Sequence, residues 1–241
     1  MSNKILFIFE GERTEKQIAD NLTKHFIGEN SVIQCAYCAN IYRLYKDISE
    51  DEYLDTFSLL KELPSNEEIL ARYSRNDFAE IYMFFDYDGH DTIADDQTVV
   101  KLLYFFNEET LSGKLFISYP MVEAIKHFSD TIDFRGLTIK IAESTNYKEI
   151  VDSDAKNELK DFRKYTKEIW VSLIELHLRK MNYIITRNYS LPTENSSQNY
   201  IFIKQLENYI NVDSTVAVLS SFPIFLFDYY GQNYISKLLS E

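Results

Sequence analysis

The chain is poor in the residues that break or cross-link a fold. Of its 241 residues, 6 are glycine, 4 are proline and 2 are cysteine. So little glycine and proline excludes collagen-like and low-complexity chains, and two cysteines are too few for the disulfide framework of a small secreted domain. Cys35 and Cys38 have C-x-x-C spacing, but they lack the second pair that a zinc site needs. We interpret them as a strand residue and its neighbour.

Long apolar runs and positive charge are also scarce. The early apolar run at residues 5–9 is far too short to cross a membrane or to form a signal peptide, so we expect a cytoplasmic chain with no membrane association. Lys and Arg number 25 against 38 Asp and Glu, a net charge of −13. A free-standing nucleic-acid-binding protein usually has a basic surface. This chain would need metal ions at carboxylates or a basic partner to hold nucleic acid, unless it binds none.

The hydrophobic pattern predicts an α/β fold over the first part of the chain. Hydrophobic residues make up 45% of the sequence, enough to bury a core. Residues 4–9 are a continuous apolar run typical of a buried strand. Gly11 permits a turn, and Thr14 is the predicted cap of a helix that begins near Glu15. Pro120 is predicted at the first position of another helix. Further strands are predicted at residues 32–37, 81–85, 115–118 and 137–142.

The pattern changes near residue 150. Helical periodicity then dominates, at residues 155–181, 200–210 and 225–239. We therefore predict a mostly parallel sheet flanked by helices over residues 1–150, and a helical C-terminal part over residues 151–241.

Three carboxylates follow predicted strands directly. Glu10 comes after the first strand, and Asp86 and Asp88 come after the strand at 81–85. Ligands of parallel sheets collect at the carboxyl ends of the strands, and like charges gathered there are costly unless a cation neutralises them. Mg²⁺ prefers such oxygen ligands and can orient a phosphodiester for hydrolysis. The pattern therefore predicts a magnesium site.

These segments resemble the TOPRIM family. The family has a Glu, usually followed by Gly, after a hydrophobic strand, and later a strand ending in Asp-x-Asp; here the segments read ILFIFEG and IYMFFDYDG. The resemblance covers about residues 1–150. It implies a Rossmann-like TOPRIM fold, Mg²⁺ or Mn²⁺ as cofactor, and catalytic roles for Glu10, Asp86 and Asp88.

Two further acidic residues resemble those of the nuclease branch of this family. Glu15 in EGERTE resembles the second acidic residue of OLD-like and RloB-like nucleases, and Glu123 in SYPMVE resembles the Glu of their Asn-Pro-x-x-Glu stretch. The resemblance implies that both are metal ligands. It also implies an endonuclease acting on DNA or RNA, tRNA included, as an anti-phage effector. A partner such as an ATPase would restrain it, and self-association is compatible with this role.

Several basic residues lie close to these carboxylates. Lys126 and His127 follow Glu123 at helical spacing, so Lys126 is a candidate to stabilise transition-state charge and His127 to relay a proton. Pairing on a helix surface is the alternative for both. Arg13 and Lys148 are predicted to contact substrate phosphates, with Arg13 alternatively a solvated turn residue.

Two other interpretations remain open. The segment FFDYDGHDT approaches the opening motif of haloacid-dehalogenase phosphohydrolases, in which Asp86 would be the nucleophile and Asp88 the general acid and base. That family usually places this strand first in its core domain, and Glu10 would then have no role. Alternatively, the acidic chain is a non-catalytic docking module whose helical part binds a partner.

Overall fold

The computed structural model of the chain describes residues 4–27, 32–51, 53–87 and 96–240, with the backbone alone for residues 32–34. The described residues divide into two compact units. Unit 1 contains residues 4–85 and 96–115, and unit 2 contains residues 86–87 and 116–240. Residue 150, the predicted boundary, falls inside unit 2. The predicted site residue Asp88 lies outside the described residues.

The described residues include a five-stranded sheet, most of whose residues belong to unit 1. Its strand order is β2-β1-β3-β5-β4. β1 pairs with β2 and with β3 in parallel, and β4 pairs with β5 antiparallel. The predicted α/β fold with a mostly parallel sheet flanked by helices is therefore confirmed. The strands are β1 (Lys4–Phe9), β2 (Val32–Tyr37), β3 (Phe78–Asp86), β4 (Asn107–Glu108) and β5 (Gly113–Ser118).

Continuous apolar sequence explains why the strands of this sheet form where they do. The side chains of β1 from Ile5 onward are buried, as expected for a strand covered on both faces. Phe7 packs edge-on against Phe84 of β3, with ring centroids 5.2 Å apart. Each fully buried aromatic or aliphatic side chain stabilises the fold by about 1.5–3 kcal/mol, so the register of the two strands is strongly specified.

The first helix of unit 1 follows the predicted pattern except at its cap. α1 begins at Thr14, next to the predicted start near Glu15, and its N-cap is Arg13, which makes no side-chain cap. The predicted cap by Thr14 is wrong because Thr14 is already helical. The predicted apolar face at Ile18, Leu22 and Phe26 is buried. The helices are α1 (Thr14–Phe26), α2 (Ile41–Glu50), α3 (Thr56–Lys61), α4 (Glu67–Leu70) and α5 (Asp96–Phe105).

Unit 2 is mainly helical in the part that the structure describes. A two-stranded antiparallel sheet joins β6 to β7. The last helix has a kink at Gly231, whose φ of 76° is a backbone conformation that glycine adopts readily. The elements are β6 (Thr138–Lys140), α6 (Tyr147–Asp154), α7 (Lys167–Thr186), α8 (Gln198–Gln205), α9 (Asn211–Asp213), β7 (Thr215–Ala217) and α10 (Ser221–Leu238).

Two predicted helices of unit 2 differ from the structure. Pro120 follows a cis peptide bond, and Met121 is extended with φ −157°, so no helix begins at Pro120; a short 3-10 helix spans Val122–Lys126 instead. The helix predicted over residues 155–181 begins only at Lys167. It starts there because the Thr166 side chain accepts a hydrogen bond from the Ile169 N–H and caps it. No helix within the described ranges is long and apolar enough to cross a membrane.

Candidate metal centre

Two of the predicted site residues stand where neighbouring parallel strands end. Phe9, the last residue of β1, pairs with Phe84 of β3. Glu10 directly follows Phe9, and Asp86 is the last residue of β3, two residues beyond that pair. Parallel strands in this register end at the same edge of a sheet. The predicted position of Glu10 and Asp86 at strand ends is thus found in the structure.

Unit 1 holds two of the predicted carboxylates, Glu10 and Glu15. Glu15 is buried in the first turn of α1, and its Oε1 accepts a hydrogen bond from the Gly11 N–H at 3.2 Å. A Cβ on Gly11 would lie 2.9 Å from Glu15 Oε2, so glycine allows the carboxylate to approach the backbone this closely. Glu10 is half-buried. Burial raises the pKa of the Cys38 thiol to about 11, and the charge of Glu10 adds to that effect.

Unit 2 holds Glu123, a buried carboxylate. It lies in the 3-10 helix Val122–Lys126 and is 5% exposed. Its Oε1 is 3.6 Å from Lys148 Nζ, whose side chain is 65% exposed. Its Oε2 is buried, and within the described part of the chain it has no hydrogen-bond partner. A buried carboxylate oxygen without a donor is costly, so this atom is a natural position for a cation.

The charges of two predicted carboxylates, Glu123 and Asp86, affect the pKa of the Tyr147 hydroxyl. Tyr147 is the first residue of α6, and its side chain is wholly buried. Burial raises the pKa of Tyr147 well above its usual value. The charges of Glu123, Asp86 and Asp154, in that order, raise the pKa of Tyr147 further. Two of the predicted carboxylates in unit 2 therefore raise the pKa of the same tyrosine.

His127 is hydrogen-bonded to Tyr147, and its other ring nitrogen lies near Asp154 without a hydrogen-bond partner among the described residues. His127 Nδ1 is 2.9 Å from Tyr147 Oη, and Nε2 is 3.5 Å from Asp154 Oδ2. Burial lowers the pKa of His127, an effect that Asp154 opposes. The imidazole is therefore neutral at neutral pH, and only one of its ring nitrogens carries a proton.

The predicted basic residues differ in how far they are already engaged. Lys126 is buried, with Nζ 2.7 Å from Asp152 Oδ1 and 5.4 Å from the centre of the Phe162 ring. Lys148 is exposed beside Glu123, and Arg13 is exposed at the start of α1. Lys148 and Arg13 are thus accessible to a phosphate, whereas Lys126 already has a carboxylate partner.

Sequence reasoning missed Tyr147, Asp152 and Asp154 as members of this site. Asp152 pairs with Lys126, and Tyr147 and Asp154 both lie next to His127. The residues of each pair are 20 or more positions apart in the sequence, so no local motif joins them. The one signal in the sequence is that they share α6 with Lys148, which is predicted to contact phosphate.

The donors present fit a hard divalent cation. Asp86 and Glu123 offer carboxylate oxygens, which Mg²⁺ and Mn²⁺ prefer, and Glu123 Oε2 is an oxygen without a donor among the described residues. Across those same residues, no group of three or more His, Cys, Asp or Glu side chains is already gathered as a metal site. Asp88 is outside them, so the third strand-end carboxylate stays a prediction.

A separate cavity in unit 2 has different chemistry. Its volume is about 450 Å³, and its lining includes Phe128, Leu159, Leu173 and the ion pair of Arg179 with Glu175. No predicted site residue is among the described side chains that line it. The cavity is therefore distinct from the carboxylate neighbourhood of Tyr147.

Comparison with known proteins adds nothing to the motif resemblance: the chain matches no protein family, no curated protein and no solved structure.

Proposed function

We propose that this chain is a metal-dependent endonuclease of the TOPRIM type that hydrolyses phosphodiester bonds of DNA or RNA. The observation that carries the proposal is that acidic residues end neighbouring parallel strands, Glu10 after β1 and Asp86 at the end of β3. This is the arrangement that the motifs ILFIFEG and IYMFFDYDG imply. The buried Glu123, with one oxygen lacking a donor among the described residues, supports the same proposal from an independent part of the sequence.

The carboxylates would hold Mg²⁺ or Mn²⁺. Asp86 and Glu123 supply oxygen donors from unit 2, and Glu10, Glu15 and Asp88 are the further ligands that the TOPRIM resemblance implies. When bound, the cation would neutralise charge on the phosphate and lower the pKa of a water molecule for attack. The chain's own contribution is to keep these oxygens deprotonated and oriented.

The basic residues would bind the substrate. Lys148 pairs with Glu123 at 3.6 Å while remaining exposed, so it can move from that carboxylate to a phosphate. Arg13 is exposed, three residues after Glu10 in the sequence, and would act in the same way. Lys126 is held by Asp152 at 2.7 Å. Its proposed role is to stabilise developing negative charge from a fixed position.

The charge of the chain favours action with a partner. With 38 acidic and 25 basic residues, it has little general attraction for a polyanion. We propose that a partner, such as an ATPase, supplies nucleic-acid affinity or restrains the nuclease until phage infection. Self-association of the chain is compatible with this arrangement.

The decisive experiment compares the wild type with Glu10→Ala and Asp86→Ala in a toxicity assay and in cleavage of DNA and RNA with Mg²⁺ or Mn²⁺. Both variants should remain folded and lose toxicity and cleavage. Asp130→Asn is the matched control, because Asp130 is an exposed carboxylate of unit 2 that pairs with Lys156 and not with the site. It should behave as the wild type does.

Other outcomes would contradict the proposal. An active Glu10→Ala protein would rule out the TOPRIM assignment. Turnover of a phosphate monoester that survives Glu10→Ala and disappears in Asp86→Ala would identify a phosphohydrolase instead. Failure of the wild type to bind metal or to cut nucleic acid, alone or with the product of its genomic neighbour, would favour the docking module.

A further inference from the structure

We propose that the cavity of unit 2 is a binding site for a small organic cation, an apolar molecule that carries one protonated amine. The cavity is lined by α7, by the segment of residues 156–159 and by two aromatic residues, Phe128 and Tyr189. The inference does not depend on the proposed metal centre or on the nuclease, because none of the predicted carboxylates is among the described side chains that line the cavity.

The floor of the cavity is apolar. Ile169, Leu173 and Leu176 line it from one face of α7, at the i, i+4 and i+7 positions of an amphipathic helix. Leu159 and Phe128 add further apolar surface. Leu159 and Leu173 are buried, whereas Ile169 and Leu176 are half-buried. An apolar ligand would remove from water surface that the described residues leave partly exposed, which favours binding.

The size of the cavity fits a small molecule better than a protein segment. Its volume of about 450 Å³ lies within the range of about 300–1,000 Å³ that is typical of small-molecule sites. A stable protein interface usually needs about 20–30 residues on each side, and 12 described residues line this cavity. Small-molecule sites also combine apolar walls with a few polar groups, as this one does.

Both basic side chains of the described lining already have acidic partners. Lys156 Nζ lies 2.7 Å from Asp130 Oδ1. Arg179 donates to Glu175 Oε1 from Nε at 2.9 Å and from Nη2 at 2.8 Å, and its Nη1 donates to the Tyr189 carbonyl at 3.3 Å. An anionic ligand would have to displace a carboxylate from one of these bases. The basic residues therefore do not favour an anion.

The other charged side chains of the described lining are acidic. Glu158 and Glu168 are exposed at the cavity, and with Glu175 they outnumber the two bases by three to two. This local charge has the same sign as the net charge of the chain, −13. An ammonium group would thus be attracted to the exposed carboxylates while the apolar body of the ligand occupies the floor.

The test uses three probes that share one apolar body and differ in charge: phenylbutylamine, phenylbutanol and phenylbutyrate. At neutral pH the amine is a cation, the alcohol is neutral and the carboxylate is an anion. Calorimetry should find one amine bound per chain. The anion should bind at least about fivefold more weakly than the amine, with the alcohol between them. In methyl NMR spectra, the amine should shift the resonances of Leu159, Ile169 and Leu173.

A substitution that fills the cavity tests its position. Ser172 is an exposed residue of α7 that lines the cavity, so Ser172→Trp should leave the chain folded and place an indole in the volume that the ligand needs. The amine should then bind at least about tenfold more weakly. Ser236→Trp is the matched control, because it adds the same indole at an exposed position of α10 outside the described lining. It should bind the amine as the wild type does.

Removing the exposed carboxylates tests the choice of charge. Glu158→Gln and Glu168→Gln should each weaken binding of the amine by about 1.4- to 5-fold, and together they should bring the affinities of the three probes closer. Glu149→Gln, at an exposed position of α6 outside the described lining, should change none of them. Urea unfolding should show that every variant remains folded.

Several results would overturn the inference: no saturable binding of the amine, tighter binding of the anion, wild-type affinity in Ser172→Trp, or NMR shifts confined to residues outside the cavity. An amphipathic Leu/Lys peptide that shifts the same methyl resonances, when the amine shifts none, would replace the small molecule with a partner segment. The nuclease is tested separately, since Glu10→Ala should bind the amine as tightly as the wild type even where it cuts no nucleic acid.

Discussion

The two units bury very different amounts of ionisable chemistry. Among the described residues, unit 1 buries one side chain of the Asp, Glu, Lys, Arg or His type, Glu15, inside a core of aromatic and aliphatic strands. Burying such groups is costly unless each has a partner, so the partners of these groups distinguish the two units. Unit 2 buries five: Glu123, Lys126, His127, His177 and Lys180.

The buried carboxylates of the two units also differ in how fully they are hydrogen-bonded. Glu15 in unit 1 accepts a backbone N–H from Gly11. Glu123 in unit 2 faces the flexible ammonium of Lys148 and, among the described residues, retains an oxygen without a donor. Unit 1 thus holds a buried carboxylate that a backbone N–H satisfies, and unit 2 holds one whose oxygen lacks a donor among the described residues. Substitutions in each unit can test this division.

The largest expected effect comes from removing one carboxylate in each unit. Glu10→Gln in unit 1 and Glu123→Gln in unit 2 should each lower the rate of nucleic-acid cleavage by more than about 100-fold. Residues that only support a metal ligand contribute up to about 100-fold, and a ligand should contribute more. Both substitutions keep the shape of the side chain and remove its charge. Initial rates of metal-dependent cleavage measure the effect. If Glu123→Gln alone lost activity, the chemistry would reside in unit 2 and the role assigned to the strand end of β1 would be wrong.

The second prediction concerns stability and not rate. Mg²⁺ at about 100 times its dissociation constant should raise the free energy of unfolding of the wild type by about 2.7 kcal/mol. Glu123→Gln should lose this increment, and without Mg²⁺ it should be at least as stable as the wild type, because a buried charge has been removed. Urea unfolding with and without Mg²⁺ measures both quantities. A Glu123→Gln protein that Mg²⁺ still stabilises fully would show that this carboxylate is not a ligand.

Part of this contrast between the units could be predicted from sequence. Strands β1 and β3 are runs of apolar residues, so the amino-acid pattern alone is enough to place Glu10 and Asp86 at strand ends. Helix α1 is also predictable, to within one residue, from the spacing of Ile18, Leu22 and Phe26.

The network of unit 2 could not be predicted in the same way. The segment after Pro120 has the composition of a helix, but the extended Met121 and the 3-10 helix that follows it place Glu123, Lys126 and His127 differently from an α-helix. Their partners on α6 are separated by 20 or more residues along the chain, and pairing at that range depends on tertiary packing. The tautomer of His127 depends on it too.

A third prediction tests whether burying the charge of Lys180 lowers the free energy of unfolding. Lys180 is wholly buried, and its Nζ donates to the carbonyls of Arg135 and Leu137, both at 2.8 Å. Burial lowers the pKa of Lys180 to about 7, from 10.5 for the free side chain. Between these values the unfolded chain keeps a proton that the folded chain has lost, so stability rises with pH across this range.

With each pH unit, the free energy of unfolding of the wild type should rise by up to about 1.4 kcal/mol more than that of Lys180→Met. The methionine variant lacks the titrating group and should also be less stable, by about 1–3 kcal/mol for each carbonyl left without a donor. Urea unfolding of both proteins from about pH 7 to about pH 9 isolates the effect. Parallel pH profiles for the two proteins would mean that Lys180 stays charged in the folded state, and that unit 2 tolerates buried charge better than proposed.

The smallest effect is expected in unit 1, from Gly11→Ala. The added Cβ would lie 2.9 Å from Glu15 Oε2 and 3.0 Å from Oε1, and the atom that must move is the end of a flexible side chain. We therefore expect a loss of stability below about 1 kcal/mol, together with displacement of the Glu15 carboxylate. If Glu15 holds a second metal ion, calorimetry should find fewer Mn²⁺ ions bound per chain in Gly11→Ala than in the wild type. Glu15→Gln is the matched variant and should give the same number. Unchanged stoichiometry in both would remove Glu15 from the metal centre, and its burial would then serve only to hold the turn at Gly11 against the start of α1.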